Sequence, residues 1–318
     1  MNRLSLGLAI ACVAATTSSC SGKSSSANGD AGVALQPNVG TASIGPLTVA
    51  AGGEETVCIL KRLNNTEDIM ATSFVADLAP GSHHMIVYKS TAVDEDLDPF
   101  SCVPFLGLTD ASAVPIMLVN KLHFESTFPP NVGIVLPAGQ MLRIEAHYIN
   151  TTAADIQGQG QLEVHGVPMS EASSYQAADF AFWGTTKIDI PAKSAASTPV
   201  KYQVGLPNTN VFAISTHQHS LGTEVAVWNT KGAVAQPDPS TMVIDEKDWS
   251  NPALKTFDPP IVFDGTNGFS FQCSWQNGTD QEVQFGESAL NEMCFVGAYY
   301  YPSQGFDLCI DGHCKTRH

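Results

Sequence analysis

Met141-Leu142-Arg143-Ile144-Glu145-Ala146-His147-Tyr148-Ile149 alternates in character: Leu142, Ile144 and Ala146 fall in one phase, Arg143, Glu145 and His147 in the other. Successive side chains of an extended strand point to opposite faces, so this stretch reads as a β-strand with one face in a core and His147 on the polar face. Outward from it, short apolar runs broken by Gly, Pro and Asn recur at strand spacing. In the first half they are 57–60, 69–78, 84–88, 133–136 and 161–167. In the second they are 180–183, 185–190, 202–205, 211–216, 224–228, 242–245, 261–263, 268–275, 283–286 and 292–301. Long helical periodicity is missing, and Gly 26 with Pro 19 suits many tight turns. The expected fold is all-β, since short antiparallel strands close as sandwiches, jelly rolls or barrels. Residues 45–170 and 176–318 are expected to form two such units, each large enough to bury a core, joined by a weakly patterned connector. No internal repeat relates the halves at the level of sequence.

The charge balance is acidic, Lys+Arg 15 against Asp+Glu 31, a formal net charge of -16. A field of that sign disfavours nucleic acid and anionic lipid and favours cations, so DNA and RNA are excluded as partners. Arg3, the apolar run 4–15 and the small residues 16–19 read as a secretory signal, too short for a permanent membrane anchor. Thr17-Ser18-Ser19-Cys20 resembles a bacterial lipobox, although Thr17 stands where Leu is usual. That resemblance implies a signal peptide over 1–20, acylation of Cys20 and, with Ser21 next, an outer-membrane anchor. Membrane association is then expected only through the lipid. Residues 21–44, with Ser24-Ser25-Ser26, lack periodicity and are expected to be a flexible tether.

Of the eight cysteines, Cys12 leaves with the signal and Cys20 is the lipid site, leaving Cys58, Cys102, Cys273, Cys294, Cys309 and Cys314. An even set in an exported chain argues for disulfides rather than thiolate metal sites. Fifteen pairings are open; the grouping along the chain favours Cys58 with Cys102, Cys273 with Cys294 and Cys309 with Cys314.

The chemistry lies in the histidines. His217 and His219, at i and i+2 on an extended chain, point to one face and can reach one ion. His83 and His84 are adjacent and can share an ion only at a strand end or bulge, which Pro80-Gly81-Ser82 supplies; His147 would complete a three-nitrogen site. Met293 is a soft neighbour for the second pair, and a thioether beside imidazoles suits copper, above all Cu(I). Read singly, His-x-His is more often a pair of exposed strand or core histidines than a ligand pair, and a lone methionine is more often core than ligand.

Taken together, His83-His84-Met85-Ile86-Val87, His147-Tyr148, His217-x-His219-x-Leu221-Gly222 and Glu292-Met293-Cys294 resemble, in the same order, the motifs of the type II copper, ascorbate-dependent monooxygenases. This is the family of peptidylglycine α-hydroxylating monooxygenase and dopamine β-monooxygenase. The resemblance covers about residues 50–302. It implies two jelly-roll-like antiparallel β-sandwich domains facing each other across a cleft, with two copper ions per chain. His83, His84 and His147 match the ligands of an electron-transfer copper. His217, His219 and Met293 match the copper where oxygen binds and a substrate C–H bond is attacked, so these three are the expected catalytic residues. Cys58 with Cys102 and Cys273 with Cys294 match family disulfides; Cys309 and Cys314 have no clear counterpart.

The implied activity is hydroxylation of a small-molecule substrate with O2 and a one-electron reductant such as ascorbate. Peptidylglycine is not the expected substrate. The family's amidating branch holds the peptide carboxylate with an arginine, an asparagine and a tyrosine at positions occupied here by Ser215, Phe295 and Gly297. The alternative from another class is a cell-surface copper-binding protein of the same fold without oxygenase activity. His123, His165, His313 and His318 match no motif and are expected to be surface or structural. Asn64-Asn65-Thr66, Asn150-Thr151-Thr152 and Asn277-Gly278-Thr279 have the form of glycosylation sequons, expected to be incidental in a bacterial lipoprotein.

Overall fold

The structure is a computed structural model that describes residues 35–103 and 110–317. The expected signal segment, Cys20, the first part of the expected tether and His318 lie outside the described residues. The first half runs β1 (Asn38–Val49), β2 (Glu54–Arg62), β3 (Ile69–Leu78), β4 (Ser82–Ser90), β5 (Asp96–Ser101), β6 (Ala113–Val119), β7 (His123–Thr127), β8 (Val132–Leu136), β9 (Met141–Ile149), β10 (Ile156–Pro168) and β11 (Gln176–Ala177). The second half runs β12 (Asp179–Gly184), β13 (Asp189–Ile190), β14 (Ala195–Ser197), β15 (Lys201–Val204), β16 (Thr209–His217), β17 (Gly222–Thr230), β18 (Met242–Glu246), β19 (Lys255–Phe263), β20 (Gly268–Gln276), β21 (Val283–Gln284), β22 (Phe295–Tyr301), β23 (Phe306–Ile310) and β24 (His313–Arg317). No α-helix occurs among the described residues.

The fold is all-β, as the alternating pattern requires, and the strand order shows why two sandwiches form. In the first half one sheet runs β1-β10-β3-β8 and the facing sheet β2-β9-β4-β6, with β5 beside β2. In the second half the orders are β12-β22-β16-β19 and β14-β20-β17-β18. These orders are the same jelly roll twice, a relation that similarity of sequence does not reveal. A local device repeats as well. After β9 the Asn150 amide donates to the carbonyls of Val49, Ala50 and Ala154; after β20 the Asn277 amide donates to those of Ile190, Pro191 and Gln281. Both asparagines are buried turn locks, so their sequons mark turn chemistry rather than glycan sites.

Two expectations are corrected here. The stretch expected as a tether through residue 44 is ordered from its last part onward, because β1 pairs along β10 from Asn38. Alternate residues Ala42 and Ile44 are buried there, enough apolar surface to hold an edge strand. Strand β6 was also not among the expected runs: Pro115 interrupts it, and is tolerated because β6 lies at the edge of its sheet.

Residues 35–317 pack as one compact unit, and the sheet β12-β22-β16 explains this. Ala181 and Trp183 of β12, with Val296, Ala298 and Tyr300 of β22, fill the second sandwich. Their alternates Phe180, Phe182, Phe295 and Tyr299 join the apolar cluster that extends into the first sandwich. A sheet covered on both faces reads as continuous apolar sequence, as Phe180-Ala181-Phe182-Trp183 does. Phe128 seals the junction, its ring centroid 5.0 Å from Phe212 and 5.1 Å from Tyr299, and the Tyr299 hydroxyl donates to the Ile116 carbonyl at 2.9 Å.

All three disulfides join the cysteines grouped along the chain: Cys58–Cys102, Cys273–Cys294 and Cys309–Cys314. The last bridges residues directly opposite in the β23–β24 hairpin. Three disulfides assign the folded chain to an oxidising compartment.

Candidate metal centre

Gly81 sets up the first group of ligands. Its φ of +90° is open to glycine, and a Cβ there would stand 2.2 Å from Ile156 Cδ1. The chain enters β4 irregularly, and the register against β9 slips between Ser82 and His84. At this bulge neighbouring residues no longer face strictly opposite ways. His83, His84 and His147 bring ligand nitrogens within 4.8 Å of one another. The phase of β9 that carries Glu145 and His147 is polar but buried, 0% and 1% exposed, because it faces other protein and not solvent.

The second group forms where β16 ends. His217 pairs opposite Phe295 on β22, and two steps further along that register stand His219 and Met293. The rings of His217 and His219 lie 5.1 Å apart and nearly perpendicular. Glu292 ties the two segments together: its carboxylate accepts from the backbone N–H groups of His219 (3.0 Å), Leu221 (2.7 Å) and Met293 (3.3 Å) and from Trp275 Nε1 (2.8 Å). Met293 itself is fully buried in the apolar cluster at the junction, and Cys294 beside it is held to Cys273.

The two groups are not separate. His83 also lies within 4.8 Å of His217 and His219, counting one ligand nitrogen from each. Ring centroids across the junction are 5.3 Å for His83 and His219, and 6.1 Å for His84 and His217. Five imidazoles therefore make one cluster.

Their protonation suits metal binding. Burial, then the neighbouring imidazoles His219 and His147, pushes His83 down to about 3. Burial pushes His219 down to about 4 and holds His84, His147 and His217 below the ordinary value, against an upward pull from Glu54 on His147. Neutral imidazole is the ligand form. Outer partners fix which nitrogen is offered. His147 Nε2 donates to Glu54 Oε1 at 2.9 Å and leaves Nδ1 buried without a partner. His219 Nδ1 donates to the Asn291 carbonyl at 3.0 Å and leaves Nε2 in the same condition, as is His83 Nε2. His84 Nε2 lies 3.6 Å from Glu145 Oε1, and the Tyr88 hydroxyl donates to the other oxygen of that carboxylate at 3.0 Å. The buried, unpartnered nitrogens of His83, His147 and His219 fit a metal ion.

Sequence reasoning found the histidines and missed their supports. Glu54 lies 93 positions from His147 and carries no local signal. It also accepts from Ser288 Oγ (3.2 Å) and the Ala289 N–H (3.0 Å) of the other half. These bonds outweigh the burial that raises its carboxyl and hold it below the usual range. Glu145 was visible as the residue two before His147 on the same strand face, its role not derivable. Of the other histidines, His123 is exposed against Asp77 and His165 Nδ1 donates to the Gln36 carbonyl, both outside the cluster.

Residues 191–316 match the family model for the copper type II ascorbate-dependent monooxygenase, C-terminal domain. Over this segment the chain is similar to that family. The match includes His217, His219 and Met293 and ends short of the first half. No curated protein matches the chain. Among solved structures, the major capsid protein P2 from bacteriophage PM2 is similar at 10% identity with a TM-score of 0.31, over 82% of this chain and 96% of that one, too low to bear on function. For a copper monooxygenase domain the clustered donors are apt, since imidazole nitrogens suit copper better than they suit harder ions.

The depressed histidines predict a pH response of the metal-free protein. Between pH 6.5 and 4 the unfolded chain takes up protons that the folded cluster refuses, so stability is full above about pH 7 and falls as pH drops through that window. The urea midpoint is expected to be flat above pH 7 and to decline steadily to pH 4, less steeply in His83→Ala or His219→Ala. A midpoint unchanged down to pH 4.5 would contradict the buried neutral cluster.

Proposed function

We propose that this protein is an exported copper-dependent monooxygenase that hydroxylates a C–H bond of a small or apolar substrate, using O2 and a one-electron reductant such as ascorbate. The observation that carries the reading is the cluster of five imidazoles whose ligand nitrogens lie within reach of one another, two of them in a segment that matches the copper monooxygenase family model. Copper bound there would supply one-electron chemistry and oxygen activation. His83, His84 and His147 would hold one ion, and His217, His219 and Met293 the second, where the thioether favours the reduced state. Glu54 and the Asn291 carbonyl orient the rings of His147 and His219, and Glu145 lies beside His84. Glu292 holds the His219 and Met293 segments at fixed spacing.

The substrate reading rests on two features. A cleft of about 390 Å³ opens on His83 and His217 and is walled by Asn120, Lys121 and Leu122 from one half and Trp249, Ser250 and Asn251 from the other. Its size suits a small molecule, Trp249 offers a flat apolar face, and the buried Ser82 Oγ and Asn120 Oδ1 have no partner and can meet polar groups. The second feature argues against peptidylglycine. Ser215 stands opposite Gly297, and a Cβ on Gly297 would fall 2.7 Å from the Phe180 ring. Aromatic packing, with Phe182 and Phe295 at 4.9 Å, occupies the place where a carboxylate anchor would be needed. Cleavage after residue 19, acylation of Cys20 and outer-membrane attachment belong to the same proposal.

The test is copper stoichiometry on the purified chain together with ascorbate-dependent oxygen uptake across a panel of small substrates. Two coppers with substrate-stimulated uptake are the expected result. Two coppers with no coupled uptake on any substrate would favour copper handling, and copper at trace level would sink both.

A further inference from the structure

We propose that His83 is a ligand across the junction: with His217 and His219 it forms an alternative, all-nitrogen metal position, filled in place of the two sets above because each neutral imidazole offers one lone pair, that takes Cu2+ or Zn2+ and pins the two halves together at the mouth of the cleft. The inference rests on the reading above only in taking His217 and His219 as ligands. Its ground is geometric. The three ligand nitrogens lie within 4.8 Å of one another, and the ring centroids are 5.3, 5.9 and 5.1 Å apart. Nitrogens sharing one ion at about 2.0 Å sit at most about 4 Å apart, so ring movements of about 1 Å close the site.

Two further observations point the same way. His83 Nε2 and His219 Nε2 are both buried and without a hydrogen-bond partner. The junction that sets their separation is built without metal, by Phe128 against Phe212 and Tyr299 and by Glu54 reaching Ser288 and Ala289. The site is therefore presented by packing and needs no ion to assemble it. It differs chemically from the set that includes Met293: three imidazoles lack the soft sulfur that favours Cu(I) and fit a borderline divalent ion. Because His83 and His217 line the cleft, an ion here stands where a substrate would enter.

The experiment uses the full chain, metal-free, in a His84→Gln, His147→Gln background that removes the other triad. This background is expected to bind one Zn2+ by calorimetry and to show three coordinated nitrogens in the Cu2+ electron paramagnetic resonance spectrum. Adding His83→Gln is expected to weaken Zn2+ by at least about 100-fold, beyond the 10–100-fold that loss of an outer-shell partner commonly costs, and to leave two nitrogens. Thermal unfolding of each variant checks the fold; His83 is only half-buried, so its replacement spares the core. Met293→Ala with all histidines present should leave Zn2+ affinity within about threefold, since zinc is satisfied by nitrogen ligands. Unchanged affinity and nitrogen count on His83→Gln overturn the inference while leaving the oxygenase reading intact. A folded background that binds no ion overturns it too, and loss of Zn2+ on Met293→Ala alone assigns the third ligand to sulfur.

Discussion

Replacing Glu292 by alanine is expected to lower stability by about 3–5 kcal/mol, since it strands buried donors that each cost about 1–3 kcal/mol when unpaired. The carboxylate is 0% exposed and accepts from four groups: the N–H groups of His219, Leu221 and Met293, and Trp275 Nε1. Burial raises its carboxyl and those donors oppose the shift, so the site is built for an acceptor. Glu292→Gln keeps the shape but turns one acceptor oxygen into a donor facing N–H groups, and should recover only part of the loss. The readout is the urea midpoint, followed by copper content. On the proposed reading, the second-half ion is expected to be lost before the three-histidine ion, because the His219 and Met293 N–H groups are held by the same carboxylate. A variant as stable as the parent would show that the four bonds are not the organising contact.

Met293→Ala and His219→Ala are expected to cut substrate-coupled oxygen uptake by at least about 100-fold on the proposed reading, beyond the 10–100-fold typical of outer-shell changes. They should differ in how. Met293→Ala keeps both imidazoles, so Cu2+ is retained while affinity for Cu+ falls, because the soft donor is gone. His219→Ala removes a nitrogen and should lose copper in both oxidation states. Copper content measured before and after ascorbate reduction separates the two, with oxygen consumption measured in parallel. Met293→Ala with near-parental uptake would remove the methionine from the site and leave the histidines alone to explain it.

The site was legible in sequence where the spacing was short. His217 and His219 share a face because a strand has period two, and the adjacency of His83 and His84 called for a bulge, which Gly81 introduces. The strands Ile69–Leu78 and Met141–Ile149 could be read to the residue from alternation and its boundaries. Legibility failed where a residue's partner is far along the chain. Glu54 gives no sign that it will bind His147 and the Ser288–Ala289 loop together, and the polar phase of β9 looks solvent-facing until another surface covers it. Strand β1 escaped because its burial depends on β10, more than a hundred residues later.

By itself, then, the sequence determined the all-β class, a cysteine set of three bridges and the short histidine spacings of the cluster, since each follows from local periodicity, composition or short spacing, while Met293 as a ligand is what the family resemblance implies. Tertiary structure alone decided that the same jelly roll occurs twice, that Glu292 and Glu54 are the supports of the site, and that His83 stands within reach of both groups of histidines. Those facts are set by which faces of two sheets bury each other, a free energy of apolar contact such as Phe128 against Phe212 and Tyr299 that no local pattern encodes.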